Sequence, residues 1–88
     1  MFSKELTVNC IKGEDVKWAT HLVQTANNYA STIRISHKGY DMNAKSLLGV
    51  LSLGIAQGMT IKLIAEGSDE NEALEGLQEL IDTGFQGQ

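Results

Sequence analysis

Four short segments of this chain alternate apolar with polar residues, the period of two that is typical of half-buried β-strands. The segments lie at residues 4–9, 33–36, 40–43 and 61–65. Their apolar members are Leu6, Val8, Ile33, Ile35, Tyr40, Met42, Ile61, Leu63 and Ala65. Because successive strand residues point to opposite faces, the pattern predicts a sheet with one covered face and one face open to water. The open face is predicted to carry Arg34, Ser36, Lys62 and Glu66.

Three other segments repeat apolar residues at helical spacing. The first is predicted to begin at Asp15, as the N-cap, and to end near residues 27–28. The second is predicted over residues 46–53, with Ser46 as N-cap and Gly54 as C-cap. The third is predicted to begin at Asp69, which would form a capping box with Glu72. The buried stripes consist of Ala19, Leu22, Val23 and Ala26 in the first helix, and Ala73, Leu74, Leu77, Leu80 and Ile81 in the third.

The predicted element order is β-α-β-β-α-β-α, with the Lys38-Gly39 pair turning the second strand into the third. This order predicts the α+β class, as an open-faced β-sandwich in which three helices cover one face of a four-stranded antiparallel sheet. A chain of 88 residues is the size of one domain, so we expect a single domain over residues 1–88.

Composition excludes several classes of partner. The net charge of −4 and the lack of a basic run argue against direct nucleic-acid binding. No apolar run approaches the roughly 20 residues that span a bilayer, and residues 1–5 lack the apolar core of a signal peptide. The single cysteine, Cys10, has no partner for a disulfide and fits a reducing compartment. We therefore expect a cytoplasmic protein that does not bind membranes.

The sequence carries no pattern of an enzyme active site, a metal site or a cofactor site. Neither His21 nor His37 stands at metal-ligand spacing from a cysteine, a carboxylate pair or the other histidine. Gly49, Gly54 and Gly58 match neither the dinucleotide fingerprint nor the phosphate-binding loop. We therefore expect no catalytic residues, no metal and no cofactor.

The second helix is the candidate functional element. Residues 47–53 contain five large apolar residues, more than one buried helix face can use, so some of its leucines should be exposed. A phosphate on Ser46 would face the helix N–H groups, with Lys45 predicted to supply a cation beside it. This arrangement indicates a docking surface next to a modifiable serine. The alternative is a core helix with an ordinary serine cap.

Three segments resemble the HPr family of the sugar phosphotransferase system. They are residues 23–26, residues 43–54 with the motif Lys-Ser-x-x-Gly-x-x-Ser-Leu-Gly, and residues 67–74. The resemblance covers essentially the whole chain and implies the same open-faced sandwich. It also implies two phosphorylation sites: a histidine that relays phosphate from enzyme I to sugar permeases, and a regulatory serine modified by HPr kinase/phosphorylase.

The chain matches only the second of these sites. Where the family reads Gly-x-His-Ala-Arg-Pro-Ala, residues 13–19 read Gly-Glu-Asp-Val-Lys-Trp-Ala. Asp15 occupies the place of the phosphorylatable histidine, Lys17 that of the arginine and Trp18 that of the proline. The chain thereby resembles the Crh-like branch of the family, the catabolite-repression HPr-like proteins.

This resemblance implies that Ser46 is phosphorylated and that the phosphoprotein acts as co-repressor for catabolite control protein A in carbon catabolite repression. The implied partner-binding residues are Lys17, His21, Gln24, Lys45, Leu47, Leu48 and Leu51.

Two alternatives to this regulatory function stay open. One is an adaptor that binds a metabolic enzyme or permease through Leu47, Leu48 and Leu51 without phosphorylation. The other is a residual phosphocarrier that uses His21, one helical turn beyond Lys17.

Overall fold

The predicted order of elements is confirmed by a computed structural model, which describes residues 1–9 and 14–82. The elements are β1 (Phe2–Thr7), α1 (Asp15–Ala26), β2 (Thr32–His37), β3 (Tyr40–Asn43), α2 (Leu47–Leu51), β4 (Thr60–Glu66) and α3 (Glu70–Asp82). Cys10 and the tail beyond residue 82 lie outside the described residues. Within those residues no helix is long and apolar enough to cross a membrane, the longest being α3 with 13 residues.

The four strands form one antiparallel sheet in the order β1-β4-β2-β3. The register places Leu6 opposite Ile61 and Ile35 opposite Leu63, so the apolar residues of neighbouring strands share one face. The α+β class and the antiparallel sheet are therefore as predicted. The two edges of the sheet are β1 and β3.

The core lies between the sheet and the three helices. Its largest fully buried side chains are Trp18 and Leu22 of α1, Ile33 and Ile35 of β2, Ile61 and Leu63 of β4, and Leu74, Leu77 and Ile81 of α3. The predicted stripe of α3 is confirmed except at Leu80, which is only half-buried. On the other face of the sheet Arg34, Lys62 and Glu66 are exposed and Ser36 is half-buried, as predicted.

Three predicted boundaries shift, one of them the start of α1, which is described with the candidate site. The first strand was expected over residues 4–9 but pairs with β4 from Phe2, which lies opposite Ala65. The second helix was expected to run to residue 53, with Gly54 as its C-cap, but α2 ends at Leu51 and its C-cap is Ser52. At this end of α2 the Ser52 hydroxyl donates a hydrogen bond to the Gly49 carbonyl, at 2.6 Å.

The start of α3 holds the connection between α1 and β2. The carboxylate of Asp69 accepts hydrogen bonds from the Ala30 N–H at 2.8 Å and the Ser31 N–H at 2.9 Å, and from the Ser31 hydroxyl. These hydrogen bonds lower the pKa of Asp69 below its usual 3.8. The bond from the Ser31 hydroxyl has the largest effect, followed by the bond from the Ala30 N–H. Asp69 does open the helix, since its carbonyl accepts from the Ala73 N–H at 2.9 Å.

The predicted capping box of Asp69 with Glu72 is wrong. Glu70 is the residue that folds back, accepting from the Gly67 N–H at 3.2 Å, and this contact lowers the pKa of Glu70. The carboxylate of Asp69 is instead used for the distant segment at Ala30 and Ser31.

We expect Asp69→Asn to lower the midpoint of urea unfolding at pH 7, because the charged acceptor of three donors is lost. A lowered pKa in the folded state means that this stabilisation is present above about pH 4 and is lost as the pH falls below it. The difference between wild type and variant should therefore shrink on acidification to pH 2–3. Glu75→Gln, at an exposed position of α3, is the control. A difference that does not change with pH would contradict this role.

Gly67 lies against Ser31, and its φ is +153°. A Cβ at this position would stand 2.7 Å from the Ser31 Cα and 2.6 Å from its Oγ. Gly67→Ala should lower the free energy of unfolding by about 2–4 kcal/mol, through a strained backbone and overlap with Ser31. Gly58→Ala is the matched control, since its φ is +84° but its Cβ would meet nothing within 4 Å. Equal losses in urea titrations of the two variants would show that the overlap does not matter.

Candidate functional site

Ser46 begins the helix α2. Its backbone is extended, with φ −112° and ψ 118°, and its Oγ accepts a hydrogen bond from the Gly49 N–H at 3.2 Å. The Ser46 carbonyl accepts the first helical bond, from the Val50 N–H at 3.0 Å. These are the features of a serine N-cap, so that prediction is confirmed.

The apolar residues of α2 divide between core and solvent as the sequence predicts. Val50 is fully buried, and Leu51 is half-buried against the core. Leu48 is 82% exposed and Leu47 36% exposed. A leucine as exposed as Leu48, beside a capping serine, is available to a partner surface. We call Leu47, Leu48 and Leu51 the leucine patch.

The side chain of Lys45, which precedes Ser46, contacts the segment just after α1. Its Nζ donates to the Tyr29 carbonyl at 2.7 Å, just beyond the end of α1. The Lys45 carbonyl accepts from the Asn27 side chain at 3.3 Å, and its N–H donates to the Asn43 side chain at 2.9 Å. Lys45 thus ties the loop before α2 to α1. That its ammonium offsets charge on a phosphorylated Ser46 stays a prediction.

The α1 residues implied as partner contacts differ in exposure. Lys17 and Gln24 are exposed, whereas His21 is half-buried. The ammonium of Lys17 stands 3.9 Å from the Glu14 carboxylate, a weak surface pair. The rise of a helix separates Lys17 from Asn27, which contacts Lys45, by about 15 Å along the axis. The structure therefore does not bring Lys17 and Lys45 together as one phosphate-binding pair.

Asp15 lies inside α1 and is not its cap. Glu14 occupies the N-cap position with no side-chain capping bond, and Asp15 is the first helical residue. The Trp18 N–H donates to the Glu14 carbonyl at 2.9 Å and closes the first turn there. A proline, which the HPr motif has at this position, cannot make that bond. The helix begins one residue earlier than predicted because Trp18 supplies the donor.

The side chain at position 15 differs in chemistry from the phosphorylatable histidine of the family motif. Asp15 is an exposed carboxylate, with no imidazole nitrogen to form an N–P bond. Across residues 1–9 and 14–82 there is no group of three or more His, Cys, Asp or Glu side chains arranged to hold a metal ion.

Sequence reasoning missed the two α1 contacts of Lys45. The partner of its ammonium is the Tyr29 main-chain carbonyl, which no residue type reveals. Asn27 carries a usable signal, since an asparagine directly after a helix often makes local hydrogen bonds. Its amide does so, donating to the Val23 carbonyl at 2.8 Å as well as to Lys45.

A family model described as the PTS HPr component phosphorylation site matches residues 2–83. The chain belongs to the HPr family. The HPr-like protein Crh of Halalkalibacterium halodurans is 43% identical over 82 residues, which are 93% of this chain and 98% of that protein. Within the HPr family the chain is therefore Crh-like. Proteins of this family are phosphocarriers or regulators of the phosphotransferase system.

Solved HPr-family structures confirm the open-faced fold. The crystal structure of HPr-C-His from Thermoanaerobacter tengcongensis has a TM-score of 0.93 and 36% identity, covering 100% of this chain and 99% of that one. Crh of Bacillus subtilis, solved as a swapped dimer, has a TM-score of 0.73 and 35% identity, covering 89% and 85% of the two chains.

The contacts of Lys45 generate a stability prediction for this HPr-family chain. Lys45→Met should lower the free energy of unfolding by about 1 kcal/mol, because a charged hydrogen bond to the half-exposed Tyr29 carbonyl is lost. Lys17→Met should change it by less than about 0.5 kcal/mol, since only an exposed ion pair is lost. Urea titration measures both. Equal effects would mean that Lys45 does not tie α1 to α2.

Proposed function

We propose that this Crh-like chain is a non-catalytic regulator that HPr kinase/phosphorylase phosphorylates on Ser46. In its phosphorylated form it acts as a co-repressor with catabolite control protein A in carbon catabolite repression, in the cytoplasm. The observation that carries this proposal is the position of Ser46 at the N-cap of α2, beside a leucine that is 82% exposed. The modifiable hydroxyl and the apolar contact are thus a few residues apart on one short element.

Electrostatics explains how the modification would change binding. A phosphate adds about −1.5 to −2 charges at pH 7. The N–H groups of the first turn of α2 offset part of this charge, so we expect α2 to persist. In the unmodified protein the Lys45 ammonium donates to the Tyr29 carbonyl. The remaining charge is available to arginines of a partner, through charge-assisted hydrogen bonds.

The leucine patch supplies the part of binding that does not depend on phosphate. A partner with an apolar groove would bury Leu48 in both forms, while arginines at its rim would contact only the phosphorylated form. An adaptor of the phosphorylation-independent kind would use the patch alone. The two functions differ in whether phosphorylation changes the affinity.

The same geometry supports the loss of phosphocarrier activity. The residue in the place of the family's histidine is a helical aspartate, and Trp18 in the place of the proline closes the turn that includes it. His21 lies in the middle of α1, away from the unpaired N–H groups that receive a phosphate at a helix start. Neither Asp15 nor His21 therefore provides a site from which a phosphoryl group could be relayed.

Phosphoenolpyruvate and enzyme I should therefore not label this protein, because Asp15 has no nucleophilic nitrogen. The measurement is incorporation of labelled phosphate, with a histidine-containing HPr as positive control. An acid-labile label that disappears in His21→Ala would contradict the prediction and establish a residual phosphocarrier.

Phosphorylation of Ser46 should tighten binding to catabolite control protein A at least tenfold, a change of about 1.4 kcal/mol. The phosphorylated form comes from incubation with HPr kinase/phosphorylase, and mass spectrometry locates the modification. Calorimetric titration of the regulator with each form then measures the affinity. Ser46→Ala should remove the difference while leaving the far-UV circular dichroism unchanged.

Two variants distinguish binding through the leucine patch from binding through any exposed apolar residue. Leu48→Ala should weaken binding of both forms of the protein, whereas Phe2→Ala, at a 48% exposed position of β1, should weaken neither. Equal affinity of the two wild-type forms, with a loss in Leu48→Ala, would identify the phosphorylation-independent adaptor instead. Modification at a serine other than Ser46 would also overturn the proposal.

A further inference from the structure

A groove lies between the β2–β3 hairpin and the C-terminal end of α2. Its volume is about 360 Å³, within the range of about 300–1,000 Å³ that is usual for small-ligand pockets. The described residues that line it are His37, Lys38, Tyr40, Met42, Ser52 and Leu53. None of these residues belongs to the leucine patch.

One wall and the floor of the groove are apolar. Met42 and Leu53 are half-buried and pack against the core, so they form a fixed floor. Tyr40 is 67% exposed and lies opposite His37 in the strand register, beyond the Ile35–Met42 pair. Its ring offers a flat surface on which an apolar or aromatic group can stack.

The charge of the groove is opposite in sign to that of the chain as a whole. The chain carries a net charge of −4, yet no carboxylate is found among the described residues that line the groove. Asp41, between Tyr40 and Met42, points to the other face of the sheet, where its carboxylate is 4.0 Å from Arg34. The groove therefore presents the Lys38 ammonium without a competing acid.

The imidazole of His37 has a defined orientation. Its Nδ1 is 2.9 Å from the Thr60 carbonyl, and because a carbonyl only accepts, Nδ1 carries the proton. The Nε2 atom remains as the second hydrogen-bonding atom of the ring. The ring is thereby held at the mouth of the groove beside Lys38.

Lys38 also occupies an unusual backbone position. Lys38 and Gly39 have φ values of 50° and 86°, which are those of a two-residue type I′ turn. Asparagine or glycine is favoured at the first of these positions, and a lysine there is strained. Strained residues tend to occur at functional sites, which agrees with a role for this side chain.

We infer that this groove binds a small organic anion that has an apolar, preferably aromatic, body and one carboxylate or phosphate group. The body lies over Met42 and Leu53 and against Tyr40, and the anionic group pairs with Lys38. This function does not require Ser46 or its phosphorylation.

Titration of the ¹⁵N-labelled protein with phenylacetate and with phenyl phosphate tests the inference and distinguishes the two anionic groups. Benzyl alcohol supplies the ring without the charge, and inorganic phosphate supplies the charge without the ring. We expect saturable shifts of the amides of residues 37–42 and 52–53 with at least one ring-bearing anion. Its dissociation constant should be at least fivefold lower than those of both controls.

Lys38→Asn removes the charge while suiting the turn, and should raise the dissociation constant at least fivefold. Lys62→Asn, at an exposed lysine on the open sheet face, should leave it unchanged. Three results would each overturn the inference: no saturable shifts with either ring-bearing anion, equal binding of benzyl alcohol, or unchanged binding by Lys38→Asn. Because the titrated protein is unphosphorylated, the outcome is independent of the proposed phosphorylation.

Discussion

The arrangement of this molecule depends on the hydrogen bonds that the carboxylate of Asp69 accepts. By accepting from Ala30 and Ser31 it fixes the chain just after α1 against the start of α3. The carbonyl of Tyr29, one residue earlier, then receives the ammonium of Lys45. Lys45 directly precedes Ser46, so a run of polar contacts connects the beginning of α3 to the N-cap of α2. The position of the candidate regulatory serine is thus determined by residues far from it in sequence.

The short length of α2 explains why its surface is suited to partners. Five residues make little more than one helical turn, and a helix of that length is stable only through its caps and its contacts with the rest of the protein. Ser46 and Ser52 are the N-cap and C-cap of α2, and Val50 is its fully buried residue. The leucines on the remaining surface cannot reach the core, so their exposure follows from geometry. Because α2 has so few internal hydrogen bonds, a single modification can alter its contacts.

Interactions between residues near in sequence were predictable here, and interactions between distant polar groups were not. Alternation placed Ile33, Ile35 and Leu63 correctly in the sheet, and the surplus of leucines predicted the exposure of Leu48. The capping role of Ser46 was also predictable, since its acceptor and donor are three residues apart. The partners of Asp69 and Lys45 were missed because they lie 38–39 and 16 residues away and include main-chain atoms.

The burial of Trp18 links the loop before α1 to the core of this protein. The indole is 1% exposed and is the largest side chain of the core, at the position where the HPr motif has a proline. Replacing Asp15 and Trp18 by the histidine and proline of the family motif would remove the indole, and removing a buried tryptophan typically costs about 3–5 kcal/mol. Such a loss is a large part of the stability of a small domain. Restoring the family motif in this loop would therefore destabilise the core, so the chemistry of the loop and the packing of the core cannot be changed separately in this protein.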